Sequence, residues 1–537
     1  MAGRKKHVSG ITRRSFLKGV TASAVMGPWI LRNAFAAGVP KQELVVAWSA
    51  SNTIGWDFHR LSMKTQEMGI VDSCFEGLLG WDKAKADPKL IAPSLAETWE
   101  VSKDKTEWTF KLRDKVRWHK NYGVDWGTFS AEDCEYSLKL GMSGKGKEFL
   151  EGIKDCKALD RRTIRVVLAR PMDPISVKMM LSNYREGRII CKKAVEQLGP
   201  DYPFKPVGTG FLKLSKVSPD TFSEWVANEE YWRGKPELAS VRHLYIKDLS
   251  SREMAFQKGE AQLIQGQMSQ KWYERAGELK DAEPMVIAPG LILVLHINTT
   301  RKPFTDVRVR QALMYAIDRE GLRRFIGKNV TKPVVSVVPP DYLGSAKEVE
   351  LYSFNLDKAK QLLEKAGYPK GFEVEVQISE LDYYLRPMQV LQQMVKKVGI
   401  DLKLKVVTHS AYHSLTRKDV NPLVIYGTSR LPVAGQILNP FYHSSAIVGT
   451  PTGITNFSHY TGADKELDAA TNELDVDKKV AYWEQAQKKI LGDAVAFPLY
   501  IYMQCWVKKT WVDLGYKFES NLEYSPLLSY KTKILPH

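Results

Sequence analysis

The run Leu291-Ile-Leu-Val-Leu-His-Ile297 constrains this chain more than any other stretch. It is almost continuously apolar and shows no alternation. A strand with no polar face suits the centre of a sheet that is covered on both sides. The segments C-terminal to it can supply such a cover. From Asp306, the spacing of Val309, Leu313 and Ile317, with Ala312 and Ala316, predicts an amphipathic helix. Asn355 is placed to cap another, with Ala359, Leu362, Leu363 and Ala366 on one face and Gly367 as its stop before Pro369. Residues 372–378 alternate as a strand, 387–398 read as a helix and 401–406 as a strand. A long amphipathic helix over 475–491 leads to the aromatic strand Phe497-Pro-Leu-Tyr-Ile-Tyr502, which should close the fold. This β-α-β-α order predicts an α/β lobe over residues 291–495.

The N-terminal half is richer in short strands. Residues 43–47 form an apolar run that ends at Trp48 and enters the polar loop Ser49, Ala50, Ser51, Asn52, Thr53. In α/β folds, loops at the carboxyl ends of strands are where ligands bind, although a plain surface turn reads the same way locally. Trp108-Thr-Phe-Lys-Leu-Arg113 alternates as a strand, and the alternation resumes over 116–119. Ser130 followed by Asp133 is a capping box that should start a helix through Leu138. Strands are also predicted over 162–168, 224–228 and 241–246. A helix over 250–258 stops at Gly259, and 261–264 returns as a strand before the loop Gln265-Gly-Gln267. The strand-helix-strand order from 241 to 264 predicts a parallel pair joined by a crossover.

The 537 residues carry a formal charge of +17, and seven of the 78 basic residues lie in the first 36, which hold no acid. There, Thr12-Arg13-Arg14-Ser15-Phe16-Leu17-Lys18 is a twin-arginine sequence, followed by a mildly apolar stretch and Ala34-Phe35-Ala36. That order predicts a signal segment over 1–36, cleaved near Ala36, and an exported protein. No basic block or recognised module outside it favours nucleic acid. Five cysteines (Cys74, Cys134, Cys156, Cys191, Cys505) show no C-x-x-C spacing and read as buried hydrophobes, with one disulfide left open. There is no G-x-S-x-G, no H-E-x-x-H and no phosphate loop, so no enzyme, cofactor or metal is assigned. His409 and His413 are spaced to share a helical face, but no third ligand pattern accompanies them. Trp48, Trp56, Trp81, Tyr426, Tyr500, Tyr502 and Trp506 suit either an amphiphilic pocket or the core.

Several longer words resemble the family 5 extracellular solute-binding proteins, the dipeptide, oligopeptide and nickel receptors of ABC importers. They are Leu95-Ala-Glu-Thr-Trp-Glu-Val-Ser102, Trp108 through His119, Phe129 through Leu138, Pro206-Val-Gly-Thr-Gly-Phe211 and Asn228-Glu-Glu-Tyr-Trp-Arg-Gly-Lys-Pro236. Asn298 through Leu313, Ala316-Ile-Asp-Arg319, and Asp357 through Pro369 continue the series in the same order. The resemblance implies an α/β, two-lobed periplasmic-binding-protein fold (Venus-flytrap, class II) with an extra subdomain in the N-terminal lobe. The expected division is a signal segment at 1–36, lobe I at 37–70, the extra subdomain at 71–205, lobe I again at 206–290, lobe II at 291–495 and a return to lobe I at 496–537. It also implies a periplasmic monomer that hands a small-molecule or short-peptide ligand to a membrane permease with its ATPases.

The departures concern the ligand. Peptide-binding members carry G-W-x-A-D-Y-x-D-P, whose first Asp pairs with the peptide amino group. Here the stretch is Tyr426-Gly-Thr-Ser-Arg-Leu-Pro-Val-Ala434, without the Trp or either acid, and Arg430 stands beside the expected Asp position. The expected ligand contacts are Ser49, Ser51, Asn52, Thr53, Gln265, Gln267, Tyr426, Ser429, Arg430, Tyr500, Tyr502 and Trp506. A peptide or peptide-like solute is the leading expectation. An anionic non-peptide solute or a metal chelate is the alternative, with an exported enzyme behind both. Arg430 would be a fork for a carboxylate.

Overall fold

The computed structural model describes residues 42–349, 352–453, 455–522 and 524–537, so the expected signal segment lies outside the described residues. The first strand, β1 (Glu43–Trp48), buries Leu44, Val46, Ala47 and Trp48. The helix α1 (Thr65–Val71) follows its loop. Beyond it stands a separate antiparallel sheet in the order β2 (Ala96–Val101), β3 (Glu107–Leu112), β5 (Thr163–Leu168), β4 (Ile153–Asp160). The alternation of β3 is real: Trp108, Phe110 and Leu112 are buried and their neighbours turn outward. The capping box also forms. The N–H of Ser130 donates to Asp133 Oδ2 at 3.0 Å and opens α2 (Ala131–Ser143). The strand expected over 116–119 does not form. Val116 and Trp118 are buried as the alternation implied, but their backbone bonds go to loops. The N–H of Trp118 donates to Gly127 O and that of His119 to Gly208 O, at 3.0 and 2.9 Å. The helix α3 (Pro174–Met180) completes this subdomain's inner edge, with Asp173 as its N-cap.

The strands β6 (Leu212–Ser218), β7 (Phe222–Ala227) and β8 (Ser240–Tyr245) pair antiparallel in sequence, and β8 then joins β1 in parallel. After α4 (Leu249–Gln257), the short β9 (Leu263–Gln265) pairs in parallel with β1 from its other side. The predicted crossover is therefore wider than a direct pair. The strands β8 and β9 are parallel, but β1 lies between them. Local sequence marks both as strands and carries no information on which strand fills the slot between.

The apolar run at 291–297 is the second part of β10 (Ala282–Ile297). It is followed by α5 (Val307–Tyr315), β11 (Thr331–Lys332) and α6 (Leu356–Lys365), whose cap Asn355 accepts from the Lys358 N–H at 2.9 Å. Next, β12 (Phe372–Ser379) and β13 (Ile400–Val407) pair in parallel around α7 (Asp382–Lys396). That helix starts at 382, ahead of the 387 predicted. Pro387 removes one helical N–H, yet the first turn forms without it, because the N–H groups of Tyr384 and Leu385 both reach Leu381 O, at 2.8 and 2.9 Å. Further elements include α8 (His409–Arg417), β14 (Leu423–Thr428), α9 (Val476–Gly492) and β15 (Ala496–Lys509). The large sheet runs β14-β10-β15-β9-β1-β8-β7-β6, with β11 also on β15.

The two long strands hold the halves of this sheet together. Residues 282–287 of β10 pair with 504–509 of β15, beside β9, whereas 291–296 pair with 496–502, beside β14. The register breaks between. Gly290 has φ +59, and a Cβ there would stand 2.5 Å from Tyr502 O, so a side chain is excluded by backbone on both counts. The chain thus crosses at 288–290 and again near Met503. Residues 496–502 pair within the second half of the sheet, and 504–509 within the first.

The halves also meet far from this crossing. Lys479 of α9 and Asp173 form an ion pair at 2.6 Å with both side chains almost wholly buried, and Arg170 donates to Thr471 O at 3.2 Å. Asp173 accepts from Ser176 N–H at 2.9 Å as well, so its carboxylate is fully engaged. Removing one partner of a buried pair leaves an uncompensated charge, at a cost of about 3–5 kcal/mol. Lys479→Met is therefore expected to favour separated halves, read as a larger radius of gyration in small-angle scattering. An unchanged scattering curve would show that this pair does not hold them together.

Candidate functional site

The loops leaving the central strands converge where the halves meet. The indole of Trp48, at the end of β1, is buried and meets Trp506 of β15 edge-on at 5.0 Å. The next residue ties two loops together, because the Ser49 N–H donates to Gln265 Oε1 at 3.0 Å. The Gly266 N–H donates to Cys505 O at 2.8 Å, which brings the β9 loop onto β15. Trp506 Nε1 then donates to Tyr524 O at 2.9 Å.

Tyr524 carries the connection into the other half. Its backbone is left-handed, with φ +56, and its phenol lies near the side chain of Ser429, which is also near the Tyr342 phenol. The Tyr342 hydroxyl donates to Arg430 O at 2.7 Å and takes the Arg430 N–H at 3.4 Å. Arg430 is held by its backbone. Its side chain is exposed and makes no ion pair among the described residues. Burial pushes the Tyr524 phenol up to about 12, while the nearby Ser429 hydroxyl and the guanidinium groups of Arg185 and Arg430 act the other way. Tyr184 lies close to both Tyr342 and Tyr524. The Tyr342 hydroxyl thus lies against the backbone of Arg430, whose guanidinium is exposed and suited to carboxylates.

A small cavity of about 20 Å³ adjoins Tyr184, lined also by Asp72, Lys83, Asn183, Asn521 and Leu522. Its acid is compensated. Burial alone would raise the Asp72 carboxyl, but Lys83 at 2.6 Å and Arg188 at 3.8 Å outweigh it and hold it below the usual range.

The structure joins Ser49, Gln265 and Trp506 through hydrogen bonds and strand pairing, and brings Ser429 and Arg430 near Tyr524. It puts the other expected contacts elsewhere or leaves them at the edge. Ser51 and Gln267 are exposed loop residues. Asn52 accepts from Lys64 Nζ at 3.1 Å, and the Thr53 N–H donates to Pro219 O at 2.8 Å. The Tyr426 ring packs against Phe457, His413 and Phe441 at 5.1, 5.5 and 5.6 Å. Tyr500 and Tyr502 are buried against each other. The Tyr502 hydroxyl donates to Met268 O, and that of Tyr500 has no partner among the described residues. Asp382, at the start of α7, lies near both phenols, and Arg386 near that of Tyr502. Sequence reasoning missed Tyr184, Arg185, Tyr342, Tyr524, Asp382 and Arg386. Each stands in a loop or at a helix start, with no periodic pattern to mark it.

Beside Arg185, Glu186 is 4% exposed and its Oε2 has no hydrogen-bond partner among the described residues. Burial pushes its carboxyl from the usual 4.5 up to about 7; its own backbone N–H and Arg185 pull down, and Glu148 adds repulsion. The folded state thus holds a proton that the unfolded chain releases, so the stabilising effect is complete below pH 4.5 and lost as pH rises through 7. The predicted loss is about 3 kcal/mol over that window. In chemical denaturation from pH 4.5 to 8, Glu186→Gln should flatten the profile by that amount. Parallel profiles for the two proteins would refute the assignment.

Comparison with known proteins places this geometry. The family model described as bacterial extracellular solute-binding proteins, family 5 middle, matches residues 91–449. The dipeptide-binding protein of Escherichia coli (strain K12) is 27% identical over 370 residues, covering 63% of this chain and 67% of its own. The glutathione-binding protein GsiB of Salmonella typhi is 25% identical over 493 residues, covering 88% and 93%. Among solved structures, MoaA of A. tumefacien R10 in complex with mannopinic acid is 33% identical. It aligns with a TM-score of 0.76 over 93% of this chain and all of its own.

Proposed function

The chain belongs to the family 5 bacterial extracellular solute-binding proteins, and from that premise we propose that it captures a peptide or peptide-like solute between its two lobes and delivers it to an ABC permease and its ATPases. The observation that carries the reading is the approach of Tyr342 and Ser429 to Tyr524, next to the exposed guanidinium of Arg430, whose backbone the Tyr342 hydroxyl holds. A ligand touching both lobes favours the closed arrangement and shifts the population toward it. No chemistry on the ligand is needed. On this reading the lobes divide at 288–290 and near 503, and the segment 71–205 is an appendage of the first lobe. The contact segments are 49–53, 265–267, 426–430 and 500–506. The protein acts as a monomer, reaches the periplasm by the twin-arginine route and is cleaved near Ala36. Among the described residues no helix is long and apolar enough to cross a membrane.

A second reading has its own support. The acid that would hold a peptide amino group is absent, Leu431 stands in its place, and Arg430 makes no ion pair among the described residues. A solute anchored by its carboxylate fits that change. The relative MoaA, in complex with mannopinic acid, gives a precedent within this fold. On this reading the ligand is an anionic, non-peptide organic solute, or a metal chelate that presents carboxylates.

Native mass spectrometry of gently purified protein separates the two readings. Co-purifying short peptides are expected on the first, and a single small acid on the second. For either ligand class, Arg430→Ala should weaken binding by about 1.5–3 kcal/mol, the worth of a hydrogen bond to a charged group. Titration calorimetry giving equal affinity for Arg430→Ala and the parent would remove Arg430 from the site.

A further inference from the structure

One side-chain pair, next to Tyr426, has a geometry that the peptide reading does not use. His409 opens α8 and His413 lies one turn on, so both rings share a face. Their Nε2 atoms stand 3.1 Å apart, with ring centroids at 4.4 Å. The pair is oriented from behind. His409 Nδ1 is 2.9 Å from Ser379 Oγ, at the end of β12, and Tyr384 packs on the same ring at 5.5 Å. The His413 ring is held between Tyr412 and Tyr426, at 6.1 and 5.5 Å. Both side chains remain partly open to solvent.

Two imidazole nitrogens that each bind one ion at about 2.0–2.1 Å lie about 2.9 Å apart at a right angle and about 3.4 Å apart at the tetrahedral angle. The observed separation falls between those limits. We propose that His409 and His413 form a two-imidazole chelate for a divalent transition-metal ion of the kind that favours imidazole, namely Cu2+, Ni2+ or Zn2+. Without metal, one ring donates its Nε2–H to the Nε2 of the other, so a single proton stands where the ion would sit. Binding requires that this ring carry its proton on Nδ1 instead, with no net proton lost. For His409, the Nδ1–H then donates to Ser379 Oγ, a hydroxyl that accepts as readily as it donates. Burial lowers the affinity of both imidazoles for a second proton, which leaves their lone pairs available. No third His, Cys, Asp or Glu completes a ligand set among the described residues. The remaining positions on the ion are filled by water or by a chelator that the ion already carries.

The test uses untagged protein and two probes, Cu2+ alone and Ni2+–nitrilotriacetate, which keeps two adjacent positions open. Titration calorimetry is expected to give one equivalent per chain with at least one probe, and the pair distinguishes a bare ion from a chelated one. His409→Ala and His413→Ala should each weaken binding at least tenfold, and Ser379→Ala by about tenfold, as for other residues that orient a ligand. His409→Asn and His413→Gln replace either alanine variant that folds poorly. Electron paramagnetic resonance of the Cu2+ complex should show coupling to two imidazole nitrogens. Wild-type affinity in both single variants, or no binding of either probe to the wild type at millimolar concentration, would overturn the proposal.

Discussion

The antiparallel ladder between β10 and β15 is the interaction on which the rest of the molecule depends. Each strand is long enough to serve both halves of the sheet, and each changes neighbours partway along its length. At 288–290 the ladder loses register without losing the pairing on either side. A break of that kind leaves two backbones side by side and unlinked, which permits bending about an axis through them and resists sliding. Gly290 makes the break possible, because its φ and its distance from Tyr502 O exclude any side chain.

Contacts at two distances from this crossing determine how the halves sit. Close to it, Tyr524 lies near Ser429, which is also near Tyr342. Far from it, Asp173 meets Lys479 with both side chains buried. The first is a set of neutral hydroxyls near a small cavity, and a solute can hydrogen-bond such groups at little cost. The second is a fully desolvated ion pair, for which half-measures are expensive. The near contacts suit recognition, and the far pair suits an arrangement that is either made or broken.

The elements were legible from short-range pattern. Ser130 with Asp133, Asn355, and the alternation from Trp108 to Leu112 each specify a local conformation that no distant residue has to assist. The failures have one cause. The alternation of Val116 and Trp118 reported burial correctly, but the backbone found its partners in loops at 127 and 208. The parallel relation of β8 and β9 was correct in sense, while β1 took the place between them. For the site, the loops after β1 and β9 were legible as loops, and Ser49 does meet Gln265. Tyr426 carried the same aromatic signal as a pocket residue and instead packs with Phe441 and Phe457. An aromatic side chain buries as well in a core as against a ligand, so residue type does not separate the two uses.

The sequence by itself determined where strands and helices form, which residues start and stop them, and, through its family words, the class of fold. It also determined that the usual acid is missing where Leu431 stands. Tertiary structure alone decided that Trp506 supports Tyr524, that Ser429 lies near both it and Tyr342, that Lys479 pairs with Asp173, and that two histidine nitrogens face each other. Periodicity and capping act over two to four residues, and such signals survive in any local window. The contacts at the site and between the halves join segments that are hundreds of residues apart, 216 for Ser49 with Gln265 and 306 for Lys479 with Asp173. Only the path of the chain through the shared ladder brings those segments together, and no local pattern encodes that path.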